Sequence, residues 1–504
     1  MASLQKVYTA TKLTGQVYTP NYIVRKMLND AGYCSARILG KHVLDPACGD
    51  GRFLSEIVRT IIHYSPKESL EHHLQFVNGW DIDAIAVAQC IDSLQAIVRP
   101  LGLNVQWNVR VCNALTQVEG MHSIFAIDIP KFDYVFGNPP YIRIQHLDEA
   151  QRRYIQANFS FCKSGSTDIY IAFFELAYHL LSPDGVCAYI TPNTFFYTET
   201  AAVCRRYFAE KKAIQQITNY GEIQLFDNAT TYSAIVIFNR RLNDVFLFQR
   251  AKNATVFEEK RISIVDLPKD KIWQLSIDDR IKAKKGTILL KDVCSIHVGI
   301  TTLCDKAYIF TYIEEEGEYV IVNTRLKGLI KLERSILKAI IKGSTLKSSD
   351  DPITEYVLFP YRFIEGKQHI IEEQVMREEY PLAYDYLCSV REDLDARDNG
   401  KPNTVAWYAF GRSQGLVTSF GSKLIFSPMN LRPNFVYYPN EECTFYSGYC
   451  IKYSGSYEQL AAALNTEEMR KFIEVSSRDF RGGWKAYNKK VVENFPIPSI
   501  LKND

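Results

Sequence analysis

Apolar and polar positions follow two alternating rhythms through the first half of the chain. Short apolar runs end in turn residues, and each is followed by a stretch with apolar residues every three or four positions. The spacing predicts a helix from Tyr22 to Ala31 and a strand from His42 to Leu44. It then predicts a helix from Arg52 to His63, a strand from Leu74 to Trp80 and a helix from Ala84 to Val98. Strands follow at Val105 to Cys112 and Phe132 to Phe136, then a helix at Ile169 to Leu181. A turn at Ser182 to Gly185 leads to a strand from Val186 to Ile190, and Ala213 to Tyr220 and Tyr232 to Phe238 add two more. Such alternation predicts a parallel sheet covered on both faces, with ligands at the carboxyl ends of its strands.

The rhythm stops near Arg240, and Lys252 to Lys291 reads as a mixed, charged connection. The second half has short strands, helices and aromatic turns, which predict a separate α+β domain. The expected boundaries are 1–245 and 246–504. A chain of 504 residues is too long for one core. No window approaches the unbroken apolar run of a membrane helix, and Met1 to Ala10 has no apolar signal core. The twelve cysteines include no Cys-x-x-Cys pair, so reduced thiols are expected rather than disulfides or a zinc knuckle. The net charge of +2 announces no nucleic-acid partner, so any basic surface must be local.

Three loops at predicted strand ends carry chemistry. Asp45-Pro46-Ala47-Cys48-Gly49-Asp50-Gly51 is glycine-rich and lets backbone amides approach a ligand. It lacks the Gly-x-Gly-x-x-Gly of dinucleotide binders and the Gly-Lys-Ser/Thr of phosphate loops. Asp81 ends the next strand, where a carboxylate can accept from ribose hydroxyls; an acidic residue there is also an ordinary helix cap. Asn138-Pro139-Pro140-Tyr141 follows a further strand. The exocyclic amine of adenine is a poor nucleophile because its lone pair is delocalised into the ring. The Asn138 side-chain oxygen and the Pro139 carbonyl can accept its two hydrogens, localising that pair as a methyl group transfers. Two prolines stiffen the backbone, and Tyr141 offers a flat face for a base. No metal is required.

These residues resemble a family. Asp45 to Gly51 resembles the cofactor motif of class I methyltransferases, and Asn138 to Tyr141 resembles the Asn-Pro-Pro-Tyr motif of amino methyltransferases. Gly15-Gln16-Val17-Tyr18-Thr19-Pro20 is similar to an N-terminal motif that closes over the methionine end of the cofactor. Leu225-Phe226-Asp227 is similar to a later motif whose aromatic stacks a flipped base. Their order resembles gamma-class (TaqI-like and Eco57I-like) DNA adenine-N6 methyltransferases of type II restriction-modification systems.

The resemblance implies a Rossmann-like catalytic domain, a mixed seven-stranded sheet with helices on both faces, followed by a C-terminal α+β target-recognition domain. It implies S-adenosyl-L-methionine as cofactor and adenine in double-stranded DNA as substrate. Thr19 would seat the carboxylate end of the cofactor. Asp45, Pro46, Ala47, Cys48, Gly49, Ile82 and Pro140 would line it, and Asp81 would hold its ribose. Asn113 stands where the family usually has Asp, and its amide oxygen would accept from the cofactor's adenine amine without charge. Tyr141 and Phe226 would sandwich the target base, offsetting a flipping cost of a few kcal/mol.

In the second half, Val298 to Thr302 and Tyr487 to Pro498 resemble the opening and close of target-recognition domains. Between Lys401 and Asn440 stand Lys401, Arg412, Lys423 and Arg432, interleaved with Trp407, Tyr408, Phe410, Phe426 and Phe435. Arg478, Arg481, Lys485, Lys489 and Lys490 form a second basic group. Each reads as phosphate contact or as an ordinary solvated face.

Alternatives are cytosine-N4 methylation, which more often has Ser or Thr at the Asn138 position, and a non-catalytic DNA-binding protein on the same fold. Ring-carbon methylation would need a Pro-Cys dipeptide, and none occurs. The N-terminal motif begins near residue 14, which leaves no expected room for a nuclease upstream. The expected setting is a monomer in the cytoplasm of a bacterial or archaeal cell, with no membrane and with a separate cognate restriction endonuclease encoded nearby.

Overall fold

A computed structural model describes residues 19–117, 131–163, 165, 167–226, 232–269, 272–278, 288–477 and 480–497. The N-terminal motif before Thr19, Asp227, Arg478 and Pro498 lie outside them, as does the side chain of Arg481. The chain forms two compact units, Met1–Asp279 and Arg280–Asp504.

The first unit is built on strands β1 (Val43–Asp45), β2 (Val77–Asp81), β3 (Asn108–Val111), β4 (Phe132–Gly137), β5 (Leu181–Pro192), β6 (Ile214–Asn219), β7 (Ser233–Asn239), β8 (Val245–Ala251) and β9 (Phe257–Ser263). They form one sheet in the order β3-β2-β1-β4-β5-β7-β6-β8-β9. β1 to β5 pair in parallel, while β7 runs antiparallel to both β5 and β6. The first seven strands supply the expected seven-stranded mixed sheet, and β8 and β9 extend it. The expected boundary at residue 245 is therefore corrected: within the charged segment after Lys252, Phe257–Ser263 pairs with β8, with Ala251 opposite Phe257, and the division between the units falls at Asp279.

Side-chain alternation sorts the core onto the two faces. On β7, Ile235 and Ile237 join one buried cluster, and Ala234, Val236 and Phe238 join the other. The first face is covered by α1 (Asn21–Asp30), α2 (Arg52–Tyr64) and α3 (Ala84–Val98), whose buried residues belong to the first cluster. The second carries α4 (Glu149–Asn158), α5 (Tyr170–Leu180) and α6 (Ala202–Glu210). Helix α3, continued to Leu101, is interrupted by Gln89, Asp92, Gln95 and Arg99, so it is no unbroken apolar run. It is still long and apolar enough to cross a membrane by length and composition, with a mean hydropathy of 1.2. Its Val87, Cys90, Leu94 and Val98 are instead packed into the core.

The second unit contains a four-stranded antiparallel sheet, ordered Cys294–Val298, Tyr449–Tyr453, Lys423–Phe426 and Phe435–Tyr438. A six-stranded sheet contains Ile309–Glu316, Tyr319–Thr324, Gly328–Glu333, Leu337–Lys342, Glu355–Leu358 and Thr444–Tyr446. Helices such as Tyr457–Leu464 and Glu467–Ser476 complete an α+β unit.

Candidate active site

Four strands deliver the marked residues to one end of the sheet. Asp45 closes β1, Asp81 closes β2, Asn113 follows β3 and Asn138 follows β4. Gly51 makes the turn into α2 with φ of 88°, and a Cβ there would lie 2.7 Å from the Cys90 sulfur. Only glycine meets both conditions. The Asp81 carboxylate then ties the loop down: one oxygen accepts from Gly49 N at 2.9 Å and the other from Asp83 N at 2.9 Å. Asp83 caps α3 by accepting from Ile85 N at 2.8 Å. Asn113 Oδ1 accepts from Leu115 N at 3.1 Å, which fixes its side chain. An amide oxygen keeps a second lone pair for a ligand.

These elements line one cavity of about 790 Å³, within the range of small-molecule sites. Thr19, the loop from Asp45 to Gly49, Asp81, Ile82, Asn113, Asn138 and Pro140 all face it; Pro139, Tyr141 and Phe226 do not. One wall lies outside the three loops marked in the sequence. Leu147, Ala150, Tyr154 and Ile155 line the cavity from α4, which starts at Asp148, whose side chain accepts from Gln151 N at 2.8 Å. The signal was present: Asp148 precedes Gln151 by three positions, and the four lining residues fall at helical spacing.

Asp45 is 1% exposed, and its Oδ1 accepts from Ala47 N at 3.1 Å. Burial pushes its carboxyl up to about 8; the Ala47 N–H opposes this and the negative Asp81 adds to it. Gly137 leaves room for that carboxylate, since a Cβ would lie 2.8 Å from Asp45 Oδ1. An unfolded Asp loses its proton near 3.8, so between about pH 4 and 8 the folded state holds a proton that the unfolded chain has released. Asp45 therefore makes stability fall as pH rises through that window. Unfolding midpoints at pH 5 and pH 8 should show a smaller loss for Asp45→Asn than for the parent; equal losses would refute the assignment. The Cys48 thiol is also pushed up, by neighbouring Cys90 and by burial, which keeps it protonated.

Asn138 has both ends of its amide engaged. Its Nδ2 donates to Thr19 Oγ1 at 3.1 Å, and its Oδ1 accepts from the Tyr141 hydroxyl, which also lies 3.1 Å from Ile190 O. Burial pushes the Tyr141 phenol far up, so it stays a neutral donor. The Tyr141 ring is half-buried and meets Tyr170 edge-on, at 6.2 Å between centroids.

The structure does not bring Phe226 to Tyr141. Phe226 is 2% exposed and belongs to the cluster of Phe136, Ile190, Tyr220 and Ile235, on the face opposite the one Tyr141 packs against. Its expected stacking position is corrected to a core position. Phe226→Ala should cost about 3–5 kcal/mol, the usual cost of emptying a buried aromatic site. Chemical denaturation checks this, and a loss under about 1 kcal/mol would argue against core packing.

The second unit corrects several basic and aromatic expectations. Lys423 is fully buried in its strand and donates to Gly421 O at 2.8 Å and Asn440 O at 3.1 Å, so it reaches no phosphate. Burial pulls its ammonium down to about 8. Tyr408, Phe410, Phe426 and Phe435 are core, and Trp407 is half-buried with Arg391 over its ring at 4.5 Å. Arg412 is exposed but forked onto Asp398, at 3.2 and 3.3 Å. Lys489 pairs with Glu493 at 3.5 Å, and Lys401, Arg432 and Lys490 are exposed.

A sheet with strand order β3-β2-β1-β4-β5-β7-β6, its seventh strand reversed, and a cavity at the carboxyl ends define a class I methyltransferase fold. Residues 92–226 match the Eco57I restriction-modification methylase family, so the chain carries an Eco57I-like methylase domain. It is 25% identical to the type II restriction enzyme and methyltransferase RM.Eco57I of Escherichia coli, over 97% of this chain and 57% of that protein's length. It is 23% identical to the type II methyltransferase M.BanIII of Aneurinibacillus aneurinilyticus, over 99% of this chain and 92% of the relative. Its fold is similar to that of the type IIL restriction-modification enzyme MmeI, solved in complex with DNA, with a TM-score of 0.58 and 14% identity, over 94% of this chain and 64% of that one.

Proposed function

We propose that this protein transfers a methyl group from S-adenosylmethionine to the exocyclic N6 amine of adenine flipped out of double-stranded DNA. The observation that carries the reading is the Asn138-Pro139-Pro140 turn at the end of β4. There the Asn138 side chain borders the same cavity as the glycine loop, Asp81 and Asn113. The cavity suits a nucleoside with a charged tail. Carboxylate and amide acceptors stand at Asp81 and Asn113, and apolar surface stands at Ile82, Leu115 and Phe173. When bound, the cofactor supplies the electrophilic methyl group. The chain's own part is to align the amine and accept one of its hydrogens at Asn138, which borders the cavity, with the Pro139 carbonyl beside it outside the cavity lining as the expected second acceptor.

The type II methyltransferases among its relatives support a DNA substrate and a place in a restriction-modification system. On this reading the chain acts as a monomer in a bacterial or archaeal cytoplasm, beside a separate endonuclease. Transfer of tritium from methyl-labelled cofactor to plasmid DNA is the test. Protein that retains DNA on a filter without labelling it would favour the non-catalytic DNA-binding reading instead.

A further inference from the structure

The two ends of a carboxamide are nearly the same shape, so an asparagine side chain can sit either way round unless its partners choose. For Asn138 the choice decides the chemistry. With Oδ1 toward the substrate it accepts an amine hydrogen, and with Nδ2 there it opposes one. Tyr141 does not settle this, because a phenol both donates and accepts. With its proton on Ile190 O, 3.1 Å away, the same oxygen could receive Nδ2.

Thr19 is better placed to choose. It is 3% exposed, its backbone is constrained by the following Pro20, and that proline leads directly into α1. Its Oγ1 receives Asn138 Nδ2 at 3.1 Å across 119 residues of sequence, and it lines the cavity with Asn138. A ligand in that cavity that accepts a hydrogen bond from the Thr19 hydroxyl leaves Thr19 only as an acceptor toward Asn138, which holds Nδ2 on Thr19 and keeps Oδ1 on the Tyr141 side of the amide. We infer that Thr19 is a positioning residue for Asn138, setting the orientation of its amide beyond any part Thr19 plays in seating a cofactor. This rests on the amine-methylation reading.

Thr19→Val keeps the shape and removes the acceptor, and Thr19→Ser keeps the oxygen. Both variants and the parent are compared by single-turnover methylation of plasmid DNA at saturating S-adenosylmethionine. Calorimetric cofactor affinity and unfolding midpoints are measured in parallel. The expected result for Thr19→Val is a rate loss of about 10–100-fold at saturating cofactor, the scale of a misplaced catalytic group, over and above any rise in cofactor Kd. Thr19→Ser should restore the rate to within about threefold of the parent. An unchanged rate in Thr19→Val overturns the inference. So does a defect confined to cofactor Kd, which would leave Thr19 as a cofactor seat alone. A Thr19→Ser variant that folds like the parent but is as slow as Thr19→Val also overturns it. A parent protein that methylates no DNA would instead overturn the functional reading, and this inference with it.

Discussion

Asn138→Ala should lower the single-turnover rate of methyl transfer by at least about 10²–10³-fold while changing cofactor affinity less than about threefold. The first number follows from what the amide does. It accepts a hydrogen from an amine whose lone pair must become available as the new bond forms, an interaction worth most in the transition state. Alanine removes that acceptor and leaves Thr19 Oγ1 and the Tyr141 hydroxyl without their present partner. The second number follows from position. The cavity's carboxylate and glycine-loop contacts come from β1, β2 and the turns after them, which the substitution does not touch. Stopped-time transfer assays with calorimetry separate the two effects. Substantial residual turnover would remove Asn138 from the chemistry.

Asp81→Ala should show the opposite split, with cofactor Kd rising a hundredfold or more. The Asp81 carboxylate holds Gly49 N and Asp83 N, both at 2.9 Å, so its loss frees the glycine loop and the entrance to α3 together. Hydrogen bonds to a charged group contribute about 1.5–3 kcal/mol each, and two bonds from ribose hydroxyls to this carboxylate amount to about 3 kcal/mol or more, the hundredfold expected. Asp81→Asn keeps one acceptor and should fall between the parent and Asp81→Ala. Unchanged affinity in Asp81→Ala would mean that the cavity is shaped without this carboxylate and that the nucleoside end lies elsewhere.

The features legible in the sequence were local ones. Each strand-to-helix junction announces itself over a few residues, as at Asp45 to Gly51 and Asp81 to Asp83, and sheet topology then gathers those junctions at one end. A motif names a residue type without its burial; among the described residues the Phe226 ring packs with the core cluster of Phe136, Ile190 and Ile235. Lys423 looked like surface charge in a basic segment. Its strand lies between two others, and the ammonium is capped by the Gly421 and Asn440 carbonyls, partners that no local pattern reveals. Strand β9 is hidden in the sequence by its charged residues, Glu258, Glu259, Lys260 and Arg261. The α4 wall is signalled in the sequence only when its capping residue and its apolar spacing are combined.

The reaction is defined by the atom that receives the methyl group. Plasmid DNA treated with the protein and S-adenosylmethionine, then digested to nucleosides and resolved by mass spectrometry, identifies that atom directly. N6-methyladenine is expected in the parent reaction, and its loss is expected with Asn138→Ala. N4-methylcytosine in its place, or unmodified nucleosides from folded, DNA-binding protein, would contradict the proposed reaction.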